Sequence, residues 1–497
     1  MCTFPKRQLN MMRALSFILF AFLYTVDLCG QEGIPPEGAA LFSGFVSGST
    51  AAFVYIDTIT IEGNHKTQDR IILRELNFAP GDSLAVAELS NILVAREELI
   101  MNTGLFAQAN ISFKKWEGAT NKVHLHITVE EGWYIYPVPV FELADRNFNV
   151  WWVEQKRALN RLNFGVEFTH LNLTGRRDNL KVTAKYGYTR QYIVGYKLPF
   201  INKKQTIGIA IEAAYAQNRE INYETIGNKQ VFFRDEDDFL LQRFRVGSGV
   251  TWRPGLRISH GFYLEFQQNR IAEIVAKELN PNYFLNGQLL QRFLSFTYTF
   301  VYDDRDVRGY PLRGRAVFAT LDKDGIGAFG DRNGLTLTAG YDHHWLLHPK
   351  WSLGILTSGK YSFIREQQPY NDNRALGFGK YNLHGYEFYI VDGLDMALTR
   401  WSLRYELFKK EMQLGKIVPI KALRRMPLRV YLAANSDFAY ANDPYRNSAL
   451  NPLSNRWLWG GGAGVDFVLY YDKVVRVEYS FNNRGEGGLF LNLSLGI

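Results

Sequence analysis

The chain has 497 residues, 15% aromatic side chains, a mean hydropathy of -0.19 and a formal net charge of +8. Its two cysteines, Cys2 and Cys29, lie near the start, so the remainder holds no disulfide and no thiolate metal site. No run of about 18 apolar residues follows the opening segment, which excludes a transmembrane helix there; only a closed β-barrel could then carry the chain across a membrane.

Lys6, Arg7 and Arg13 precede an apolar run at 14–26, and residues 1–30 read as a secretory signal peptide. Residues 31–52, rich in Gly, Pro, Ser and Ala, read as a linker. A small α+β unit is expected over 53–132. It opens with an alternating strand at 54–62 and continues with a helix capped by Thr67 that buries Ile71, Ile72 and Leu76. A second helix at 84–101 carries Leu89, Leu93 and Ile100 at helical spacing and stops at Asn102-Thr103-Gly104. Strands at 107–116 and 122–130 close the unit.

From residue 133 to 497 the pattern is a period of two, which puts one face of each strand in oil and the other in water. Sixteen antiparallel strands are expected, near 136–145, 161–171, 178–188, 191–199, 205–217, 239–253, 256–270 and 289–302. The rest lie near 313–321, 333–347, 350–363, 396–409, 426–437, 456–470, 473–482 and 488–497. The even count suits a membrane barrel, and long connections alternating with tight ones suit external loops and periplasmic turns. The last strands show the alternation most clearly: Val475, Val477, Tyr479 and Phe481 interleave with Arg476, Glu478, Ser480 and Asn482. Two connections break the rhythm, 189–190 being short and 410–425 long.

Chemistry-bearing clusters are few. His124 and His126 share a strand face, and His343, His344 and His348 gather near a turn; neither set has a third ligand at metal spacing. Asp322-Lys323-Asp324-Gly325 lacks the remaining ligands of a calcium loop. No nucleophile elbow, phosphate loop or nucleotide fingerprint occurs. The expectation is no enzyme, no metal and no cofactor. The positive charge is spread as Arg and Lys over lumen faces and loops, so no nucleic-acid partner is expected.

Several local patterns occur together. Gly104-Leu105-Phe106 follows the second helix; Asp303-Asp304-Arg305-Asp306 precedes Gly309-Tyr310-Pro311-Leu312-Arg313-Gly314; Leu383-His384-Gly385-Tyr386 sits in the longest connection. With the domain order they resemble the BamA/TamA family, the bacterial surface antigens, with one POTRA-like domain before an outer-membrane barrel. The resemblance places the small unit in the periplasm. It also implies that the loop around His384 folds back into the barrel, where the family's Arg meets acidic groups on the wall. Here that position is His384, and the expected lumen partners are Asp466 and Asn435, the latter a neutral residue where an acid would stand. His384 is otherwise an ordinary loop residue.

Pro137 and Pro139 are two apart, so both missing amide donors lie on one edge of the first barrel strand. Such an edge suits a weak seam against the last strand, near Leu493. In the resembled family that seam opens sideways and pairs with substrate strands. The function implied is assembly of outer-membrane proteins or translocation of polypeptides. Unfolded polypeptides, the lipid bilayer and periplasmic accessory proteins would be the partners. A dedicated exporter and a passive porin or structural barrel remain the alternatives.

Overall fold

The structure is a computed structural model describing residues 52–117, 120–202, 204–255, 257–413, 425–469 and 473–494. The expected signal, nearly all of the expected linker and the irregular 414–424 connection lie outside these residues.

The N-terminal unit contains β1 (Phe53–Glu62), α1 (Asp69–Leu76), β2 (Ser83–Ala85), α2 (Leu89–Met101), β3 (Phe106–Glu117) and β4 (Lys122–Glu131). Its sheet runs β2-β1-β4-β3, with β1 parallel to β4. The alternating side chains Val54, Ile56, Ile111, Val123, Leu125 and Ile127 meet Ile72, Leu76, Leu89, Leu93 and Ile100 from the helices in one core. Two details differ from the sequence reading. Residues 84 and 85 pair with β1 instead of opening the helix, so α2 starts at Leu89. Thr67 does not cap α1, whose cap position is Gln68 without a side-chain bond. Tertiary partners claim Thr67: its amide donates to Glu131 Oε1 at 2.6 Å, and its hydroxyl accepts from Asn172 Nδ2 at 2.8 Å. Asn172 follows the second barrel strand, so this contact docks the domain on the barrel, helped by Gln68 N–H donating to Gly175 O at 3.0 Å.

The barrel strands begin with β5 (Ile135–Leu143), β6 (Leu162–Leu171), β7 (Asn179–Gly187), β8 (Thr189–Leu198) and β9 (Ile207–Asn218). After a loop hairpin, β10 (Glu220–Ile226) and β11 (Lys229–Arg234), come β12 (Leu241–Trp252), β13 (Ile258–Ile271) and β14 (Leu290–Asp303). Next are β15 (Gly314–Asp324), β16 (Gly334–His348) and β17 (Trp351–Ser362), then β18 (Arg374–Leu376) and β19 (Val391–Asp392) inside the longest connection. The series ends with β20 (Asp395–Gln413), β21 (Arg425–Asn442), β22 (Trp457–Leu469), β23 (Lys473–Asn482) and β24 (Gly487–Ser494). Leaving out the two loop hairpins, sixteen strands form one antiparallel sheet from β5 to β24 in chain order.

Alternation sets what each face meets. Phe164, Val166 and Phe168 on β6, Phe262 and Leu264 on β13, and Tyr479 and Phe481 on β23 are exposed on the outside. Asp437, Asp466, Glu478, Ser480 and Asn482 are buried on the inside. An apolar exterior around a polar interior is stable only with lipid outside. The same belt explains the high aromatic share.

In the N-terminal domain, Glu97 on α2 is buried and accepts the Ile111 amide at 2.6 Å. Burial raises its pKa and the Ile111 hydrogen bond opposes the rise, leaving the carboxyl above its ordinary range. The sign follows: below the ordinary pKa, about 4.3, folded and unfolded chains are both protonated at this site and it contributes no pH dependence. As pH climbs through the raised value, the folded domain must give up a proton it holds more tightly than the unfolded chain does, and stability falls. Glu97→Gln should therefore remove part of the decline in domain stability between about pH 4.3 and neutrality. Urea-dependent proteolysis of α2 in the full-length protein at several pH values measures it; parallel pH profiles for both proteins would contradict the assignment.

Candidate functional site: the loop lock and the seam

The connection between β17 and β20 runs inward. Leu383 and Tyr386 are buried with Met396, Leu398, Ala439, Ala441 and Leu458 in one apolar cluster. Two glycines make the approach possible. Gly385 has φ +78°, and a Cβ there would lie 2.4 Å from Phe481 O; a Cβ on Gly460 would run into the His384 carbonyl. Gly460 of β22 thus leaves the space in which the motif's backbone lies, while Gly462 and Gly464 sit close against β23.

His384 is buried (5% exposed), and its ring reaches the wall. Its backbone N–H donates to Asp437 Oδ2 at 3.1 Å, and Nδ1 lies 2.9 Å from the same oxygen. A carboxylate only accepts, so Nδ1 carries a proton toward Asp437, while Arg476 Nη1 lies 3.3 Å from Nε2. Glu478 Oε1 stands 3.4 Å from Nε2. Arg400 reaches Asp437 from the neighbouring strand at 2.9 Å and also donates to the Asn382 carbonyl of the loop. Arg476 in turn grips Asp466 through two bonds of 2.7 and 2.8 Å.

The two expected wall partners therefore take other places. Asp466 meets His384 only through Arg476, and Asn435 does not contact it; Asn435 Nδ2 donates to Glu478 Oε2 at 3.0 Å and its Oδ1 accepts from Ser402 at 2.8 Å. The acids beside His384 are Asp437 and Glu478, so neutral Asn435 is not the residue that stands where the acid is expected. Inward alternation on β21 offers Asn435 and Asp437 equally; the depth reached by the loop selects between them. Asp437, Glu478, Arg400 and Arg476 were not singled out from sequence, since paired charges on lumen faces look like any others.

The turn motif joins the same network. Asp303 and Arg305 pair at 2.9 Å, Arg305 reaches Asp342 at 2.7 Å, and Asp306 Oδ1 accepts the Leu312 and Arg313 amides at 3.1 and 3.3 Å. Gly314, at φ +95°, turns the chain into β15. The pinched turn lifts Tyr310 into the lumen, where its hydroxyl donates to Asp466 Oδ2 at 2.8 Å, and the Pro311 carbonyl accepts from Arg404 at 2.7 Å. Loop motif and turn motif thus meet across Arg476–Asp466.

The seam lies at the ends of the sheet. Leu171 N–H donates to Tyr134 O, and Ala144 N–H to Arg161 O, so even-numbered positions of the first strand face β6. Pro137 and Pro139 therefore point their nitrogens toward the seam. Among the described residues no ladder joins β5 to β24. Leu143 and Leu493 instead pack into one cluster with Phe148, Trp151, Trp152, Val475 and Leu491. His124 pairs with Asp57 at 3.1 Å and His126 with Glu62 at 3.2 Å. The described residues contain no group of three or more possible metal ligands.

Residues 54–132 match the family model for POTRA, the surface antigen variable number repeat. The chain aligns with BamA from Haemophilus ducreyi lacking POTRA domains 1–3, at a TM-score of 0.59 and 12% identity, over 88% of this chain and 83% of that one. CdiB from Escherichia coli aligns over 99% of both chains at 10% identity and a TM-score of 0.46. CdiB from Acinetobacter baumannii gives 11% identity and 0.47 over 97% of this chain and 81% of that one. No curated protein sequence matches. The POTRA match, the shared fold and the apolar exterior define the class: a membrane β-barrel preceded by a POTRA domain. Residues 54–132 are a POTRA domain, and the barrel that follows has the fold of the BamA barrel.

Asp437→Ala removes the carboxylate facing both Arg400 and His384. Stranding the partly buried Arg400 guanidinium costs less than the ~3–5 kcal/mol of a fully buried one, yet the loop should leave the wall and trypsin should cut faster at Arg374 and Lys380. His384→Ala should have a smaller effect in the same direction. Asn435→Asp would set a second carboxylate against Glu478 and should loosen the loop as well. Wild-type cleavage rates in Asp437→Ala would remove this residue from the lock.

Proposed function

We propose that this protein inserts or translocates polypeptides at the outer membrane, the POTRA domain capturing extended segments and the barrel seam templating them. The observation that carries the reading is the seam. Of the sixteen strands in the sheet, the first and last share no ladder among the described residues, and two prolines strip donors from the first strand's seam edge. A bare strand edge binds extended chains by main-chain hydrogen bonds, with no catalysis, metal or cofactor. Partners are unfolded outer-membrane or secreted polypeptides, the bilayer and periplasmic accessory proteins. Leu383–Tyr386 would hold the lumen loop against the wall, the 303–314 turn would brace that wall, and Pro137, Pro139 and Leu493 would mark the gate.

A second reading, export of a dedicated polypeptide through the lumen, draws on a polar chamber of about 550 Å³. It is lined by Glu265, Thr297, Asp322, Arg332 and Lys360, and by Asp372 of the β17–β20 connection.

Depletion of the protein followed by quantification of the outer-membrane proteome separates the possibilities. Broad loss of barrels is expected; loss of one secreted protein supports export, and no change supports a passive barrel. Cysteines at Phe141 and Leu493 joined by a short bis-maleimide should abolish assembly while the barrel stays folded. Full activity of the crosslinked protein would rule out lateral opening and favour the lumen.

A further inference from the structure

The connection between β5 and β6 does not project freely from the barrel. Asn149 in this segment is buried (2% exposed) and its side-chain amide pairs with the backbone of β24: Nδ2 donates to Leu491 O at 3.1 Å, and Leu491 N–H donates to Asn149 Oδ1 at 2.9 Å. Leu491 stands opposite Val477 in the β23–β24 ladder, yet both its polar groups reach Asn149, so they lie on the seam-facing edge. A primary amide offers one donor and one acceptor side by side, the same pair that a neighbouring strand would present at that position.

The rest of the segment is built around this contact. Phe148, Trp151 and Trp152 pack on Val475, Leu491 and Leu493, on the face opposite Arg476 and Phe490. Inside, Phe388 of the lumen loop lies against Phe490 at 5.4 Å between ring centres. The segment also holds the lumen loop: Asn147 Nδ2 donates to Glu387 O at 2.8 Å, and Arg146 Nη1 to Gly377 O at 3.0 Å. Asn147 Oδ1 accepts the Val150 amide at 2.9 Å, which fixes the short helical turn presenting Asn149. Lys156 and Arg157 both adopt positive φ, 50° and 61°, where the segment turns back toward β6. Two consecutive non-glycine residues in that region carry strain that surrounding contacts must hold.

We infer that residues 146–154 form a built-in latch on the seam, in which the Asn149 amide occupies the β24 edge at Leu491 and the aromatic wedge covers it. This rests on the seam reading above and deepens it. An incoming strand competes for the same two backbone groups, so it must displace Asn149. Because the same segment grips Gly377 and Glu387, movement of the lumen loop and release of the seam are coupled.

The test uses the full-length protein with Cys2 and Cys29 replaced and spin labels at Phe141→Cys and Leu493→Cys, reporting seam width across β5 and β24. Asn149→Leu keeps the size and removes both hydrogen bonds. It should raise the ratio of widened to closed seam about tenfold, the change that losing one or two ordinary hydrogen bonds produces. Phe148→Ala trims the wedge and leaves the amide in place, so it should shift the ratio the same way and serves if Asn149→Leu does not fold. Distance distributions unchanged from wild type in a folded variant would overturn the latch. A widened seam with unaltered assembly of barrel proteins would leave the latch standing and overturn seam-driven assembly instead.

Discussion

Lipid offers backbone amides no hydrogen-bonding partner, and nearly every feature of this protein answers to that fact. A sheet in a membrane must close on itself, and every edge group left over must be met by something else. Fifteen of the sixteen junctions that a closed ring requires are antiparallel ladders among the described residues. At the remaining one, prolines remove donors on one side and a side-chain amide stands in for a strand on the other. The weakest place in the barrel is therefore specified by particular residues.

The lumen solves the converse problem. Charges pointing inward are shielded from bulk water by the returning loop, so they must pair with one another. Asp437 is shared by Arg400 and His384, Arg476 by Asp466 and His384, and Asp466 also accepts from Tyr310. Removing any one member strands another, which gives the network cooperativity across β20 to β23. Such pairs fix geometry more than they add net stability, since desolvation offsets much of their attraction.

Coupling between loop and seam follows from packing on β24. The strand is held by its ladder to β23, by Phe388 on its inner face and by the Asn149 segment at its edge. The last two contacts belong to loops that also bind each other. At the periplasmic end, Thr67 and Gln68 tie the POTRA domain to the turn after β6, one strand away from the same seam.

Much of this was legible in the sequence. Strict alternation over 133–497 has few solutions, so strand number and sidedness followed from periodicity and turn chemistry alone. The glycines and prolines were legible for a related reason: Gly385, Pro137 and Pro139 advertise backbone requirements that do not depend on neighbours far along the chain. What lay beyond reach was whatever depends on how deep a loop descends or which distant partner claims a side chain. Thr67 had a good local capping position and was taken by Asn172 and Glu131. Asn435 and Asp437 share one face, and only the position of the descended loop chose the second. Asn149 looked like any loop asparagine until folding brought Leu491, 342 residues away, within hydrogen-bonding distance. Period-two patterning determines which face a residue occupies; contact across hundreds of residues is decided by closure of the barrel.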